Sequence, residues 1–230
     1  MKKHYSFLVC LFVVLSLFFV SCGGGKSNMI NGHEYVDLGL PSGLKWATCN
    51  VGANNPWEDG DYYAWGEITE KDDYSWETYK DSWETYKWCK GSETTMTKYC
   101  TDSDWGRVDN KTILEPLDDV AHVKWGGTWR MPTIDEQREL LSECSWEWTE
   151  LNGVPGCTVT GPNGNSIFLP AAGCRLGTGA YPRGVDGLFW SSSLSSNNSY
   201  SAYYLYFYSG DHDWGSSGRY DGHSVRPVSK

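Results

Sequence analysis

Tyr204, Tyr206 and Tyr208 occupy alternate positions in the stretch Ala202–Tyr208. In an extended chain alternate residues share a face, so Leu205 and Phe207, with Tyr203, would turn inward and the three phenols outward. A row of phenols offers rigid, amphipathic contact area at low entropic cost, as in antibody paratopes, and a stacking face for sugar rings. Directly beyond it, Ser209–Gly222 carries Asp211, His212, Asp213, Trp214, Arg219, Tyr220 and Asp221. Those ten side chains are the candidate ligand contacts. Asp211, His212 and Asp213 are consecutive, and one ion could not take all three without strong backbone distortion. No metal and no cofactor are therefore expected.

Catalytic chemistry leaves no comparable trace. There is no G-x-S-x-G elbow and no H-E-x-x-H helix. His33, His122, His212 and His223 are scattered, and His122 lies among apolar neighbours, where a hydrogen-bonded structural role is expected. The "GGGKS" at Gly23–Ser27 lacks both the earlier glycine and the preceding strand of a phosphate loop. The expectation is a binding protein, not an enzyme.

The elements that would hold the tyrosines are short. Leu188–Ser193, Ala202–Tyr208 and His223–Val228 read as three strands, with Ser209–Gly222 as a long loop. In an antiparallel meander, Leu194–Ser201 and that loop fall at opposite ends, so the site is expected to combine the long loop with the tyrosine face. The alternative is that a Trp-rich insertion covers this face as a second core. Upstream, Tyr35–Leu38 and Leu44–Ala47 read as strands around a Pro-Ser-Gly turn, and "GDYYAWGE" (Gly60–Glu67) as a short aromatic strand. The insertion spans about 68–111 and repeats "SWETYK" at Ser75–Lys80 and Ser82–Lys87, which would align Trp76, Tyr79, Trp83 and Tyr86 on one helical face. Leu117, Val120 and Ala121 have helical spacing. Thr133 and Glu136 make a capping box that starts a helix of about ten residues carrying Ile134, Leu140 and Leu141. "GCTVTGPNGNSIFLPAAG" reads as a hairpin turning at Gly161–Asn165. Strands, two helices, then many strands is an α+β order.

The ends and charges set the context. Lys2 and Lys3 precede an apolar run, Phe7–Phe19, of signal-peptide length, closed by "FVSC". This reads as a lipoprotein signal (1–21), with acylation of Cys22 and a flexible tether at 22–29. The membrane is then reached through the lipid anchor alone, and residues 30–230 form one domain. The 19 Lys and Arg against 29 Asp and Glu give a net charge of −10, which becomes −12 once Lys2 and Lys3 leave with the signal. Such a chain is a poor nucleic-acid ligand. Six of the eight cysteines remain beyond Cys22, none in a C-x-x-C pair. In an exported chain an even number favours disulfides. Of fifteen pairings, Cys89–Cys100 is the most local, with a stabilisation of ~2–3 kcal/mol.

The motifs "YVDLGLPSGLKWATCNVGA", "GDYYAWGE", "WGGTWRMPT", "SIFLPAAG", "FWSSS" and "SVRPV" resemble, in order, the Fibrobacter-type major paralogous domain of exported Bacteroidetes proteins. The likeness runs from about Ile30 to Lys230. It implies a C-type-lectin-like fold, a twisted antiparallel sheet with two short helices and long loops, in the group that also holds formylglycine-generating enzymes. Of the cysteines those enzymes need, Cys174 beside Arg175 is only a faint echo. The Trp-Asn-Asp, Glu-Pro-Asn and Gln-Pro-Asp patterns of calcium-dependent sugar-binding lectins are absent. The C-terminus also resembles the variable proteins of diversity-generating retroelements. From Ser195 to His223, 25 of 29 residues are Ser, Tyr, Gly, Asp, Asn, His or Arg, the set that adenine mutagenesis yields.

The resulting expectation is an outer-membrane lipoprotein, on the cell surface or the periplasmic face. It would act as an adhesin for a protein or glycan on another cell, a phage or a host surface. A structural or fimbria-associated surface component is the alternative, with a formylglycine-generating-type enzyme the more distant one.

Overall fold

Two Asn-Gly pairs set the first folds of the chain. In the computed structural model, which describes residues 28–72, 74, 85–177, 179–180 and 182–230, Asn31 and Gly32 both adopt positive φ (45° and 84°). They close a two-residue turn between β1 (Met29–Ile30) and β2 (His33–Asp37), with Ile30 opposite His33. This is the turn whose twist matches that of the flanking strands. β3 (Lys45–Ala47) pairs with β2, and β12 (Val228–Ser229) pairs with β3, giving a four-stranded antiparallel sheet that joins the two ends of the domain. Asn152 and Gly153 repeat the device (φ 52° and 80°) between β4 (Ser145–Leu151) and β5 (Val154–Thr160). β6 (Ser166–Pro170) completes that second sheet across the expected Gly161–Asn165 turn.

Between the sheets lie a 3-10 turn (Pro116–Asp118), α1 (Val120–Trp125) and α2 (Ile134–Glu143). Asp119 caps α1: its Oδ1 accepts from the Ala121 and His122 amides at 2.9 and 3.1 Å, and its Oδ2 takes the Met131 amide at 2.8 Å. Thr133 and Glu136 form the capping box the sequence announces, and Arg130 Nη1 donates to the same glutamate at 2.7 Å. α2 docks on a third sheet. Gln137 Nε2 donates to the Phe189 carbonyl at 3.0 Å, and the Ile134 amide to Ser193 Oγ at 3.0 Å.

That third sheet has the order β11-β10-β9, from β9 (Asp186–Leu194), β10 (Ser201–Tyr208) and β11 (Asp211–Gly218). A small ribbon, β7 (Arg175–Leu176) with β8 (Gly179–Ala180), precedes it. The class is α+β, mostly antiparallel sheet with two α-helices among the described residues. No helix among those residues is long and apolar enough to cross a membrane.

The core is rich in aromatic side chains, and three of its indoles are hydrogen-bonded, while the Trp46 and Trp146 indole N–H groups have no partner among the described residues. Trp65 and Trp190 donate to the Ser191 and Tyr63 carbonyls at 2.8 Å each, and Trp129 to the Ile30 carbonyl at 2.8 Å. A buried indole N–H usually finds such a partner. A more aliphatic cluster (Leu38, Leu44, Leu140, Val159, Leu169, Leu205, Phe207) fills the space between the three sheets and α2.

Four sequence expectations are corrected. "GDYYAWGE" is not a strand: only Tyr63 bridges, to His223, because Tyr62, Tyr63, Ala64 and Trp65 are all buried and glycines with positive φ bend both ends. Ser209–Gly222 is not a long loop: Ser209 and Gly210 turn the chain and β11 pairs with β10 along its whole length. His223–Val228 is no regular strand, but a buried run making single bridges at His223 and Ser224 and entering the short β12 at Val228, which also bridges Arg130. Cys89 and Cys100 are not bonded to each other; none of the six cysteines beyond residue 28 is in a disulfide, and these two thiols sit 3.6 and 3.1 Å from the Tyr86 and Asp102 carbonyls. The signal, Cys22 and most of the "SWETYK" pair lie outside the described residues; Thr85–Lys87, the described end of the second copy, is not helical.

Candidate functional site

Period-two geometry divides the expected contact residues between two faces. On β10, Tyr208 lies opposite Asp211 of β11 and Asp186 of β9, Tyr206 opposite Asp213 and Leu188, and Tyr204 opposite Gly215 and Trp190. Residues opposite one another share a face. Tyr206, Tyr208, Asp211 and Asp213 thus gather at the open end of one face, beside Asp186. Tyr208 is 44% exposed and Tyr206 half-buried. No Lys or Arg occurs anywhere in the three strands. Partial burial, then the charges of Asp213 and Asp211, raises the Tyr206 phenol above its ordinary value. This end of the face is therefore a neutral, hydrogen-bonding aromatic strip rimmed by carboxylates.

Tyr204 belongs to the same row but sits deeper. Its ring meets Trp190 edge-on at 6.1 Å and His223 at 5.0 Å. Gly215 makes room for it: a Cβ there would fall 3.0 Å from the Tyr204 hydroxyl. Tyr204 is thus the floor of the strip.

His212 and Trp214 point to the opposite face. His212 lies opposite Phe207 and stacks on Trp146 (4.9 Å, 12°). Trp214 lies opposite Leu205, meets Tyr203 edge-on at 5.5 Å, and carries the Arg138 guanidinium of α2 over its ring at 4.3 Å. Asp-His-Asp-Trp therefore alternates between solvent and the packing against α2 and β4.

Arg219, Tyr220 and Asp221 are interior. Arg219 is fully buried: Nε donates to Tyr86 Oη at 2.8 Å, Nη1 to the Tyr99 and Ser199 carbonyls at 3.1 and 2.8 Å, and Nη2 to the Lys98 carbonyl at 3.1 Å. It pins the described part of the insertion to the sheet. That part packs here, around Tyr99 and Tyr200, leaving Tyr206 and Tyr208 uncovered. Tyr220 and Asp221 are 6% and 5% exposed. The residue sequence reasoning missed is Asp186, whose only signal was its place two residues before Leu188 in an alternating run.

The histidines and thiols are occupied structurally. His33 stacks on Trp125 at 3.8 Å, and His122 Nδ1 meets the Trp129 carbonyl at 3.2 Å. Burial raises the Cys144 thiol to about 11 and those of Cys157 and Cys174 to about 12, so the nucleophilic thiolate is scarce at neutral pH. Among the described residues no three His, Cys, Asp or Glu side chains gather as metal ligands.

No protein-family model, no curated protein and no solved structure matches this chain.

Proposed function

We propose that this chain is an exported, lipid-anchored recognition protein with a C-type-lectin-like domain of the Fibrobacter-type paralogous family. It contacts a protein or glycan on another cell, phage or host surface through the strip formed by Tyr206, Tyr208, Asp211 and Asp213. The observation that carries the reading is the convergence of these four side chains, from two paired strands, on one open sheet face with no cation among the strands. Phenols that bury large area at small entropic cost, ringed by acceptors, suit recognition. Asp186 extends the rim. His212 and Trp214 support the strip from behind.

The test is binding of labelled protein to panels of phage, bacterial and host cells. A Tyr206→Ala/Tyr208→Ala double variant is expected to lose about tenfold or more, because each central aromatic anchor contributes on the order of 1–2 kcal/mol. Arg138→Ala, on the reverse face, should bind as wild type. Equal binding of the double variant and wild type would remove the strip as the contact surface.

A further inference from the structure

A second concavity, separate from the tyrosine strip, opens where the loop Gly52–Asp61, the β4–β5 turn and Arg183–Gly184 meet. Its volume is about 680 Å3, within the range of small-ligand sites. Trp57 lines it, half-buried. Every other described tryptophan joins a core cluster or stacks on another side chain; Trp57 does neither. An indole that stacks on no other ring among the described residues, at the wall of a cleft, offers its ring face to a ligand.

The polar groups around it are held in place from behind. Asp59 is 5% exposed, and its Oδ2 takes Nε and Nη2 of Arg183 and, at 3.5 Å, the Tyr62 hydroxyl. Its Oδ1 has no hydrogen-bond partner among the described residues. Arg183, with a side chain 72% exposed, commits two nitrogens to Asp59 and keeps further N–H donors. Asp61 is fixed by the Tyr63 hydroxyl at 2.6 Å, with Lys124 Nζ at 3.5 Å. It lies where a Cβ on Gly52 would fall 2.3 Å from its carboxylate, so only glycine (here at φ +85°) admits it. Glu58 is spent on its own loop, bonding the Asn54 amide and the Asn55 side chain at 2.7 Å each.

The geometry points to a saccharide site in this cleft, the ligand being a neutral sugar ring or disaccharide. The C–H face of a pyranose would lie on Trp57, one hydroxyl would donate to Asp59 Oδ1, and its neighbour would accept from Arg183. Vicinal hydroxyls are donor and acceptor at once, which matches a carboxylate and a guanidinium standing side by side. The charges favour a neutral occupant. Asp59 and Asp61 each have a basic group beside them and Glu58 is held by the Asn54 amide and the Asn55 side chain, so most of the carboxylate charge is already engaged within the protein, while the three carboxylates repel an anion. None of these residues belongs to the tyrosine strip, so the two sites stand or fall separately.

The experiment is calorimetric and ligand-observed NMR titration of the purified protein with glucose, galactose, mannose, N-acetylglucosamine and their β-linked dimers. At least one is expected to bind at millimolar or lower concentration. Trp57→Ala, which removes a stacking anchor, and Asp59→Asn, which removes a hydrogen bond to a charged group, should each weaken it about tenfold or more. Arg183→Lys, which keeps a cation on Asp59 but removes the planar fork of donors, gives a third variant that folds even if Asp59→Asn lowers the melting temperature. Tyr206→Ala should leave saccharide affinity unchanged. Absence of binding across the panel overturns the proposal, as does equal affinity in the Trp57 and Arg183 variants, or saturation by methylamine or acetate instead.

Discussion

Asp221 and His223 stand two residues apart in a buried segment, and burial neutralises both in opposite senses. Asp221 accepts a hydrogen bond from Ser217 Oγ on one oxygen, while the other has no partner. Burial pushes its carboxyl from 3.8 up to about 7. His223 is 1% exposed, stacked on Trp190 at 4.0 Å with Tyr204 edge-on at 5.0 Å, and its Nδ1 is unpartnered. Burial pushes it from 6.5 down to about 3. The folded-state carboxyl is raised, so Asp221 contributes stability below pH 3.8 that is lost as pH rises through about 7. The folded-state imidazole is lowered, so His223 contributes stability above pH 6.5 that is lost as pH falls through about 3. Each slope is about 1.4 kcal/mol per pH unit. Between about pH 4 and 6.5 the two slopes are equal and opposite, and their sum is flat.

Substitution separates them. Relative to wild type, Asp221→Asn should gain stability steadily from pH 4 to 7, by roughly 4 kcal/mol in all. His223→Gln should gain relative to wild type as pH falls from 6.5 towards 3.5, by a similar amount on the order of 4 kcal/mol. The double variant should show neither trend. Urea unfolding at half-unit steps from pH 3.5 to 8 gives these differences directly, and the difference from wild type cancels every group common to both proteins. A flat Asp221→Asn difference between pH 4 and 7 would mean that the carboxyl is ionised in the fold, and the reasoning from its burial would fail.

Two further substitutions test other parts of the structure. Arg219→Met removes four hydrogen bonds to oxygen, and a fifth to Met96 Sδ, from a side chain that is fully buried, and should cost ~3–5 kcal/mol even after the desolvation of the guanidinium is recovered. Thermal melting reads this as a drop of about 6–20 °C, whereas a melting point near wild type with lost ligand binding would return Arg219 to the contact surface. Gly161→Ala places a Cβ 2.0 Å from the Leu38 carbonyl oxygen and should cost on the order of 2 kcal/mol or more as the β5–β6 turn is forced off β2. Gly164→Ala, with open space around it but a φ of +84°, should cost only about 1 kcal/mol of backbone strain; the reverse order in chemical denaturation would refute the close approach.

The features legible in sequence were those with a local cause. The α2 capping box, the β5–β6 hairpin and the alternation of β10 all follow from short-range rules, and each stands where those rules place it. β11 was illegible because Asp-His-Asp-Trp-Gly-Ser-Ser-Gly has turn composition and poor β propensity. Its extended form comes from pairing with β10, a tertiary cause. Once that pairing exists, alternation decides that Asp211 and Asp213 face solvent while His212 and Trp214 face Trp146 and Tyr203. Arg219 misled for the opposite reason. A charged residue reads as surface, but here backbone carbonyls and a phenol supply its partners, and no sequence rule locates carbonyls.

The same distinction bears on the composition of Ser195–His223. Its Ser, Tyr, Gly, Asp, Asn, His and Arg content looked like one diversified surface, yet much of it is interior. Ser195, Ser199, Ser201, Tyr203, Arg219, Tyr220, Asp221 and His223 are all buried, and several have fixed duties: Ser199 gives its carbonyl to Arg219 and its Oγ to the Thr101 amide at 3.0 Å. Replacing such groups strands buried donors and acceptors at about 1–3 kcal/mol each. A domain of marginal stability tolerates few such losses at once. The exposed positions of the segment are Tyr208–Trp214, Ser216, Ser196 and Asn197, with Tyr206 half-buried beside them, and these are the positions free to vary. A retroelement acting on this chain would have to confine its changes to these exposed positions and their neighbour Tyr206. A mutated genomic copy altered at the codon of Arg219 would be incompatible with this fold, whereas changes at Tyr206, Tyr208, Asp211 and Asp213 would alter the open strip without touching the core.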